Sequence, residues 1–273
     1  KRQAPGRTRR EYCYNILVSG LDDDNGGSDT NILVRFDVPN KRIDLVSLPR
    51  DTLLHNEYRN NKLNFAYAKG GTELLMEQIE NLLGIPVDFY VTVNLKGFIA
   101  LVDQIDGVDF DIPINMDYDD PYQDLHIHFT KGPRHLNGQE AMEVVRFRHN
   151  NDGTGYGTED IGRIGTQQAF LKAVAKQLLQ IGNVKNIPAL VDIFYTYVKT
   201  DLTTGNLVWL GNEALNIGTE NIHFATLPGD GSGYYNKQSV YVLDAQATCD
   251  LVNEALNPYN EALTLEDMDI LVP

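Results

Sequence analysis

The sequence predicts an α/β fold, a sheet covered by helices on both faces, and three observations carry that prediction. Apolar residues at helical spacing alternate with short β-branched runs along most of the chain. Two such runs, residues 31–36 and 43–48, flank the turn-prone segment Asp37-Val38-Pro39-Asn40-Lys41, a hairpin signal. Further on, a strand (85–93), a helix with Phe98, Leu101, Val102 and Ile105 on one face, and a second strand (108–113) follow in sequence.

Taken in order, residues 12–20 (YCYNILVSG) read as a buried strand that runs into the acidic, Gly-rich loop 22–27. That loop offers hard oxygen donors, although an EF-hand register fails because Leu33 holds the twelfth position counted from Asp22. The hairpin then brings the start of its first strand beside the end of its second. Asp29 should therefore meet Arg50 and Asp51 at the open end of the ribbon. A carboxylate beside a guanidinium at a strand end suits phosphate or metal-phosphate chemistry, and it equally describes an ordinary edge ion pair.

Residues 62–67 lead through Gly70-Gly71 to a helix opened by Thr72, with Leu75, Ile79, Leu82 and Leu83 inward and Gly84 as its stop. Asn94 caps the next helix. Residues 117–124 read as an acidic loop and 125–129 (LHIHF) as a short strand whose His126 and His128 share a face. Two imidazoles so placed suit a transition metal, but no third ligand stands nearby in sequence. Asn137 with Glu140 is a capping pattern for a helix over 138–145. A strongly amphipathic helix from Gln168 turns Phe170, Leu171, Val174, Leu178 and Leu179 inward and stops at Gly182. Helices at 188–199 and 205–215, a strand at 222–227 and a helix at 244–256 complete the chain.

Length and charge bound the function. The 273 residues, 42% of them hydrophobic, can bury a full core and read as a single domain from residue 12, preceded by a basic stub over 1–11. A net charge of −15 argues against nucleic acid as a partner, so any phosphate site must be local. No run of about 18 apolar residues spans a membrane. Cys13 and Cys249 either tie the first strand to a late helix or are two unrelated thiols, and neither belongs to a zinc-spaced cluster. Neither GxGxxG nor GxxxxGK[ST] occurs, and Gly231-Ser232-Gly233 lacks the spacing of a nucleophile elbow.

Arginines supply the local charge. Arg146 and Arg148 leave the 138–145 helix as an extended repeat, which places them on the same side. Arg163 and Gln167, four apart, stack on one face near a helix N-terminus, where free N–H groups favour anions. The intervening segment 150–160 (NNDGTGYGTED) reads as a flexible flap. Guanidinium forks match phosphate oxygens two at a time, and Arg50 makes the set four; pairing with surface carboxylates is the alternative.

The ordered run of SDT, SLPRDT, KLNFAYAKGG, DGVDFDIP, HLNGQEAMEVVRFRH and GRIGTQQ resembles the LytR-CpsA-Psr family across about residues 15–180, and the later Leu227-Pro228-Gly229 also fits. The resemblance implies a three-layer α/β/α core with a central mixed β-sheet and an apolar tunnel for a lipid tail, lined by the faces of helices 74–83 and 98–105. It implies a phosphotransferase on the cell-wall side of a Gram-positive membrane, held by an N-terminal anchor absent from this chain. The reaction would move a glycopolymer such as teichoic acid or capsular polysaccharide from a polyprenyl-pyrophosphate carrier to peptidoglycan. Carried over by position, Asp22 and Asp29 become ligands of Mg²⁺ (or Mn²⁺), and Arg50, Arg146, Arg148 and Arg163 a pyrophosphate clamp. Lys62 and Gln167 become further substrate contacts. Asp51 or a carboxylate among residues 22–24 is the nearest base for the acceptor hydroxyl. Thr166 and the length of the 150–160 insertion depart from the family pattern. A protein that only binds the lipid-linked polymer would keep the arginines but need no metal, and a pyrophosphatase would hydrolyse the same lipid with water as acceptor.

Overall fold

In the computed structural model, β1 (Cys13–Leu21), β2 (Ser28–Asp37) and β3 (Arg42–Leu48) form the antiparallel centre of a six-stranded sheet. Asn31 pairs with Leu48 and Asp37 with Arg42, the hairpin read from the sequence. The chain continues through α1 (Leu63–Leu83), β4 (Phe89–Val93), α2 (Leu95–Gln104), β5 (Val108–Ile112), β6 (Met116–Asp120), β7 (Leu125–Phe129) and β8 (Gly132–Leu136). There follow α3 (Gly138–Arg146), α4 (Glu159–Gln180), α5 (Ile187–Tyr197), β9 (Val198–Thr200), α6 (Thr204–Ile217), β10 (Ile222–Thr226), β11 (Gly229–Tyr235), β12 (Gln238–Leu243) and α7 (Ala245–Ala255). The structure describes residues 6–21, 26–157, 159–180 and 187–273, and of these only the backbone at 159–161, 179, 180, 187–190 and 193. Asp22 and the rest of the 22–25 loop, with Gly182, lie outside the described residues.

The contacts divide the chain into two compact units, Lys1–Asn94 with Val198–Pro273, and Leu95–Tyr197. The first holds the main sheet, in the order β10-β3-β2-β1-β4-β9, with β10 parallel to β3, β4 parallel to β1 and β9 antiparallel to β4. Leu17, Leu33, Val46 and Leu48 pack on one face against Leu75, Ile79 and Leu82 of α1 and Val252 and Ala255 of α7. On the other face Ile16, Val34 and Phe36 meet Leu207, Trp209 and Leu210 of α6. The central strands are apolar on both sides because both are covered, and the expected three-layer core with a mixed sheet is this unit.

The second unit builds a separate core from Val102, Phe110, Ile127, Met142, Phe147 and Phe170. Its strands form two antiparallel pairs, β5 with β8 and β6 with β7. Residues 108–113 therefore do not extend the main sheet. The reason is visible in the pattern: Val108, Phe110 and Ile112 are buried while Asp109 and Asp111 are exposed, the alternation of a sheet covered on one face only. The expected acidic loop at 117–124 is likewise mostly strand and turn, since Met116 and Tyr118 face inward with Asp117 and Asp119 outward. Of the residues expected to line a lipid tunnel, Leu75, Ile79, Leu82 and Leu83 are buried in the first core and Val102 and Ile105 in the second.

Other expectations shift locally. Helix α1 is broken at Gly70 and Gly71, the latter at φ 65°, so the helix expected from Thr72 is its second part, preceded by a short helical segment whose Leu63 and Ala66 are buried. Val198 and Lys199 are strand, not helix. Leu178 is 40% exposed rather than inward. The β11–β12 hairpin, turning on Asn236 and Lys237 at φ 46° and 64°, is hidden in sequence by its glycines. Arg7, Arg9 and Arg10 of the basic stub are ion-paired with Asp267, Asp88 and Asp37 of the first unit. Cys13 and Cys249 are separate buried thiols; burial raises the Cys13 pKa to about 11. Among the described residues no helix is long and apolar enough to cross a membrane.

Candidate functional site

In the first unit, four charged side chains far apart in sequence form a row. Arg50 Nη1 donates to Asp29 Oδ1, its Nε lies 3.6 Å from Asp51 Oδ1, and Lys62 Nζ lies 3.3 Å from Asp51 Oδ2. Antiparallel pairing of β2 with β3 sets Asp29 beside Arg50, as expected. Lys62 arrives because the chain after β3 is bonded to the start of α1: Leu63 N donates to Thr52 O at 3.0 Å and Asn64 N to Arg50 O at 2.9 Å. Asp51 is held from a further side, where Tyr241 N of β12 donates to its carbonyl at 2.8 Å. That support is absent from the sequence reading, which lacked the strand.

All four side chains are 20–27% exposed, so each is partly desolvated yet reachable. Their formal charges, two positive and two negative, cancel. A neutral row has little net attraction for a dianionic phosphate, whereas a divalent cation on its carboxylates would leave it positive. Its donors are hard oxygens, and the buried Asp51 Oδ1 makes no hydrogen bond. The donor set thus fits a hard cation such as Mg²⁺.

In the second unit, the capping box of Asn137 with Glu140 starts α3, and Gly138 allows close approach to α2, since a Cβ there would stand 2.2 Å from Ile99 O. Arg146 is the last residue of that helix rather than part of an extended repeat; its Nη2 donates to Gln123 Oε1 at 2.7 Å. The helix ends as Phe147 turns extended and inserts its ring into the core, leaving Arg148 and His149 partly exposed. Arg163, in the first turns of α4, is 4% exposed. A guanidinium so desolvated demands compensation by opposite charge or acceptors. Gln167 Nε2, one turn on, donates to Val145 O at 3.2 Å and ties α4 to the end of α3.

The expected flap is a hydrogen-bonded turn over its described part. Asn150 N donates to Thr154 O at 2.7 Å and Gly153 N to Asn150 O at 3.0 Å. Asn151 brackets β6, its N donating to Asp117 O and its Nδ2 to Asp119 O at 3.1 Å each. Tyr156 anchors the far end: its ring meets Phe147 edge-on at 5.6 Å and its hydroxyl bonds Thr166 Oγ1 at 2.6 Å. Burial raises the Tyr156 pKa, an effect the Thr166 bond opposes. Thr166 is therefore the partner of the insertion, the two departures from the family pattern meeting in one hydrogen bond. A lone tyrosine in a Gly-Asp segment was the signal for this anchor.

The family model described as the LytR_cpsA_psr family matches residues 4–257. The chain belongs to that family. It is 32% identical over 248 residues to the polyisoprenyl-teichoic acid–peptidoglycan teichoic acid transferase TagV of Bacillus subtilis (strain 168), covering 86% of this chain and 61% of TagV. The chain thus spans about three-fifths of that relative's length. To TagU of Bacillus cereus, of the same transferase name, it is 32% identical over 244 residues, covering 88% of this chain and 76% of TagU. The crystal structure of B. subtilis TagV superposes with a TM-score of 0.77 at 27% identity, over 96% of this chain and 100% of that one.

Proposed function

We propose that this chain is a phosphotransferase that moves a glycopolymer from a polyprenyl-pyrophosphate carrier to peptidoglycan on the cell-wall side of the membrane. The observation that carries the reading is the row Asp29–Arg50–Asp51–Lys62, assembled from three separate motifs and pairing phosphate-binding cations with metal-binding carboxylates. The names of TagV and TagU point to a teichoic acid as the polymer.

The chemistry follows from charge. A diphosphate diester carries about two negative charges and gathers more on the leaving oxygen as its bridging P–O bond breaks. Arg50 is assigned to the non-bridging oxygens with Lys62 as a further contact, and Arg146, Arg148, Arg163 and Gln167 keep the phosphate and substrate contacts assigned to them by family position. Asp29, together with Asp22, would hold Mg²⁺ or Mn²⁺, which when bound supplies charge neutralisation for the same oxygens. Asp51 is assigned as acceptor of the proton from the sugar hydroxyl as the new phosphodiester forms. Polyprenyl monophosphate leaves.

The test is product analysis with lipid-linked polymer, peptidoglycan oligomer and Mg²⁺. The proposal expects polyprenyl phosphate and peptidoglycan-linked polymer in equal amounts, and loss of both with EDTA. Release of polyprenyl phosphate with free phosphorylated polymer identifies a pyrophosphatase, and retention of intact substrate identifies a binding protein; either overturns the reading.

A further inference from the structure

The face of the β6–β7 hairpin turned away from the second unit's core carries two imidazoles and two carboxylates in register. Antiparallel pairing sets Asp117 opposite His128 and Asp119 opposite His126, while Met116, Ile127 and Phe129 are buried on the other face. The third ligand that the sequence did not offer is therefore Asp119, brought in across the strands. Its Oδ1 lies 2.5 Å from His126 Nδ1 and 3.3 Å from His128 Nε2. One ligand atom each from Asp119, His126 and His128 lie within 4.8 Å of one another, and all three residues are exposed.

We propose that Asp119, His126 and His128 bind a first-row divalent transition ion of the zinc class, a site separate from the phosphate-binding residues. A single ion with bonds of about 2.0–2.1 Å holds tetrahedral ligands roughly 3.3 Å apart, so small side-chain rotations suffice to admit it. The independent support lies on the outer side of each ring. His128 Nδ1 is 2.8 Å from Asp117 Oδ1, and His126 Nε2 is 3.6 Å from Asp124 Oδ1. For His128, the hydrogen bond to Asp117 on the far nitrogen fixes the tautomer that turns the Nε2 lone pair to the metal, the usual support of metal-bound histidine, while Asp124 stands at ion-pair distance from His126. Two cross-strand His–Asp hydrogen bonds would account for one carboxylate per ring; here each ring has one on either side. Mixed imidazole and carboxylate donors select zinc-like ions over Mg²⁺.

The site has a structural consequence inside the same unit. The backbone of β6 is bonded to Asn150 and Asn151, Tyr118 meets the His149 ring edge-on at 5.5 Å, and Gln123 in the hairpin turn accepts from Arg146. An ion joining the two strands would steady the surface on which the Arg146–Asn151 segment rests.

The experiment is titration of tag-free protein with Zn²⁺, read by calorimetry and by the imidazole ¹⁵N shifts of the two histidines. The proposal expects one Zn²⁺ per chain, bound through Nδ1 of His126 and Nε2 of His128. His126→Gln and His128→Gln should each weaken binding by about 100-fold or more, and Asp117→Asn by about 10-fold. Asp29→Asn should leave it unchanged, separating this ion from one at the phosphate site. Because the substituted side chains are exposed, the variants should keep the metal-free melting temperature of the parent. No Zn²⁺ binding at 100-fold excess, or binding undiminished in His126→Gln and His128→Gln, overturns the proposal.

Discussion

The candidate residues of the two units differ in charge balance. In the first, Asp29, Arg50, Asp51 and Lys62 neutralise one another in a row at the end of a hairpin. In the second, the candidate residues are Arg146, Arg148, Arg163 and Gln167, three cations and an amide with no carboxylate among them. Under the proposed function that difference implies two tasks: the carboxylates would make the first set responsive to a metal ion, while the second set would favour an anion whether or not metal is present. Substitutions in the second unit should therefore weaken substrate handling at every metal concentration, and those in the first should alter metal dependence.

The largest expected effect is that of Arg163→Ala. A 4% exposed guanidinium is removed together with its volume, and a loss of about 3–5 kcal/mol in transition-state stabilisation is expected. Steady-state kcat/KM measures it, with circular dichroism to confirm that the unit still folds. Arg148→Ala, partly exposed, should cost about 2–3 kcal/mol, near 100-fold, with an unchanged half-saturating Mg²⁺ concentration. Arg148→Lys should recover only part of that, since an ammonium keeps the charge without the fork. A shifted Mg²⁺ requirement in either Arg148 variant would break the division.

Smaller effects sharpen the account of how the second unit positions its arginines. A Cβ on Gly162 would stand 2.2 Å from Tyr156, so Gly162→Ala should cost about 1–3 kcal/mol, read as a lower melting temperature. Tyr156→Phe strips Thr166 of its hydroxyl partner and should cost about 1 kcal/mol. Both should reduce transfer through the placement of Arg148 and Arg163 rather than by loss of a substrate contact, so KM should move more than the Mg²⁺ requirement.

Legibility in sequence followed the range of the interaction. The Asp29–Arg50 meeting was readable because a hairpin fixes register locally, and the α3 cap because Asn137 and Glu140 are three residues apart. The support of Asp51 by Tyr241 was not, because the strand that pairs with β12 is Gly-rich and masks the hairpin, and Asp51 is distant from Tyr241 in sequence. Residues 108–113 were given to the wrong sheet although their alternation announced a one-sided strand. Asp119 completed the histidine pair only through cross-strand register, which a loop reading of 117–124 could not supply. The alternation of Arg146 and Arg148 suggests an extended segment, yet a helix that runs one residue past 145 keeps Arg146 on its last turn.

The charged row of the first unit is proposed to act on the diphosphate as a single set. A double-mutant cycle of Arg50→Ala with Lys62→Ala, whose side chains both reach Asp51, read as kcat/KM for transfer, tests this. The account predicts strong non-additivity, the double variant losing little more than the worse single one, with a coupling of at least about 1 kcal/mol. Losses that add within roughly 0.3–0.5 kcal/mol would mean that the two residues act on separate events and would contradict it.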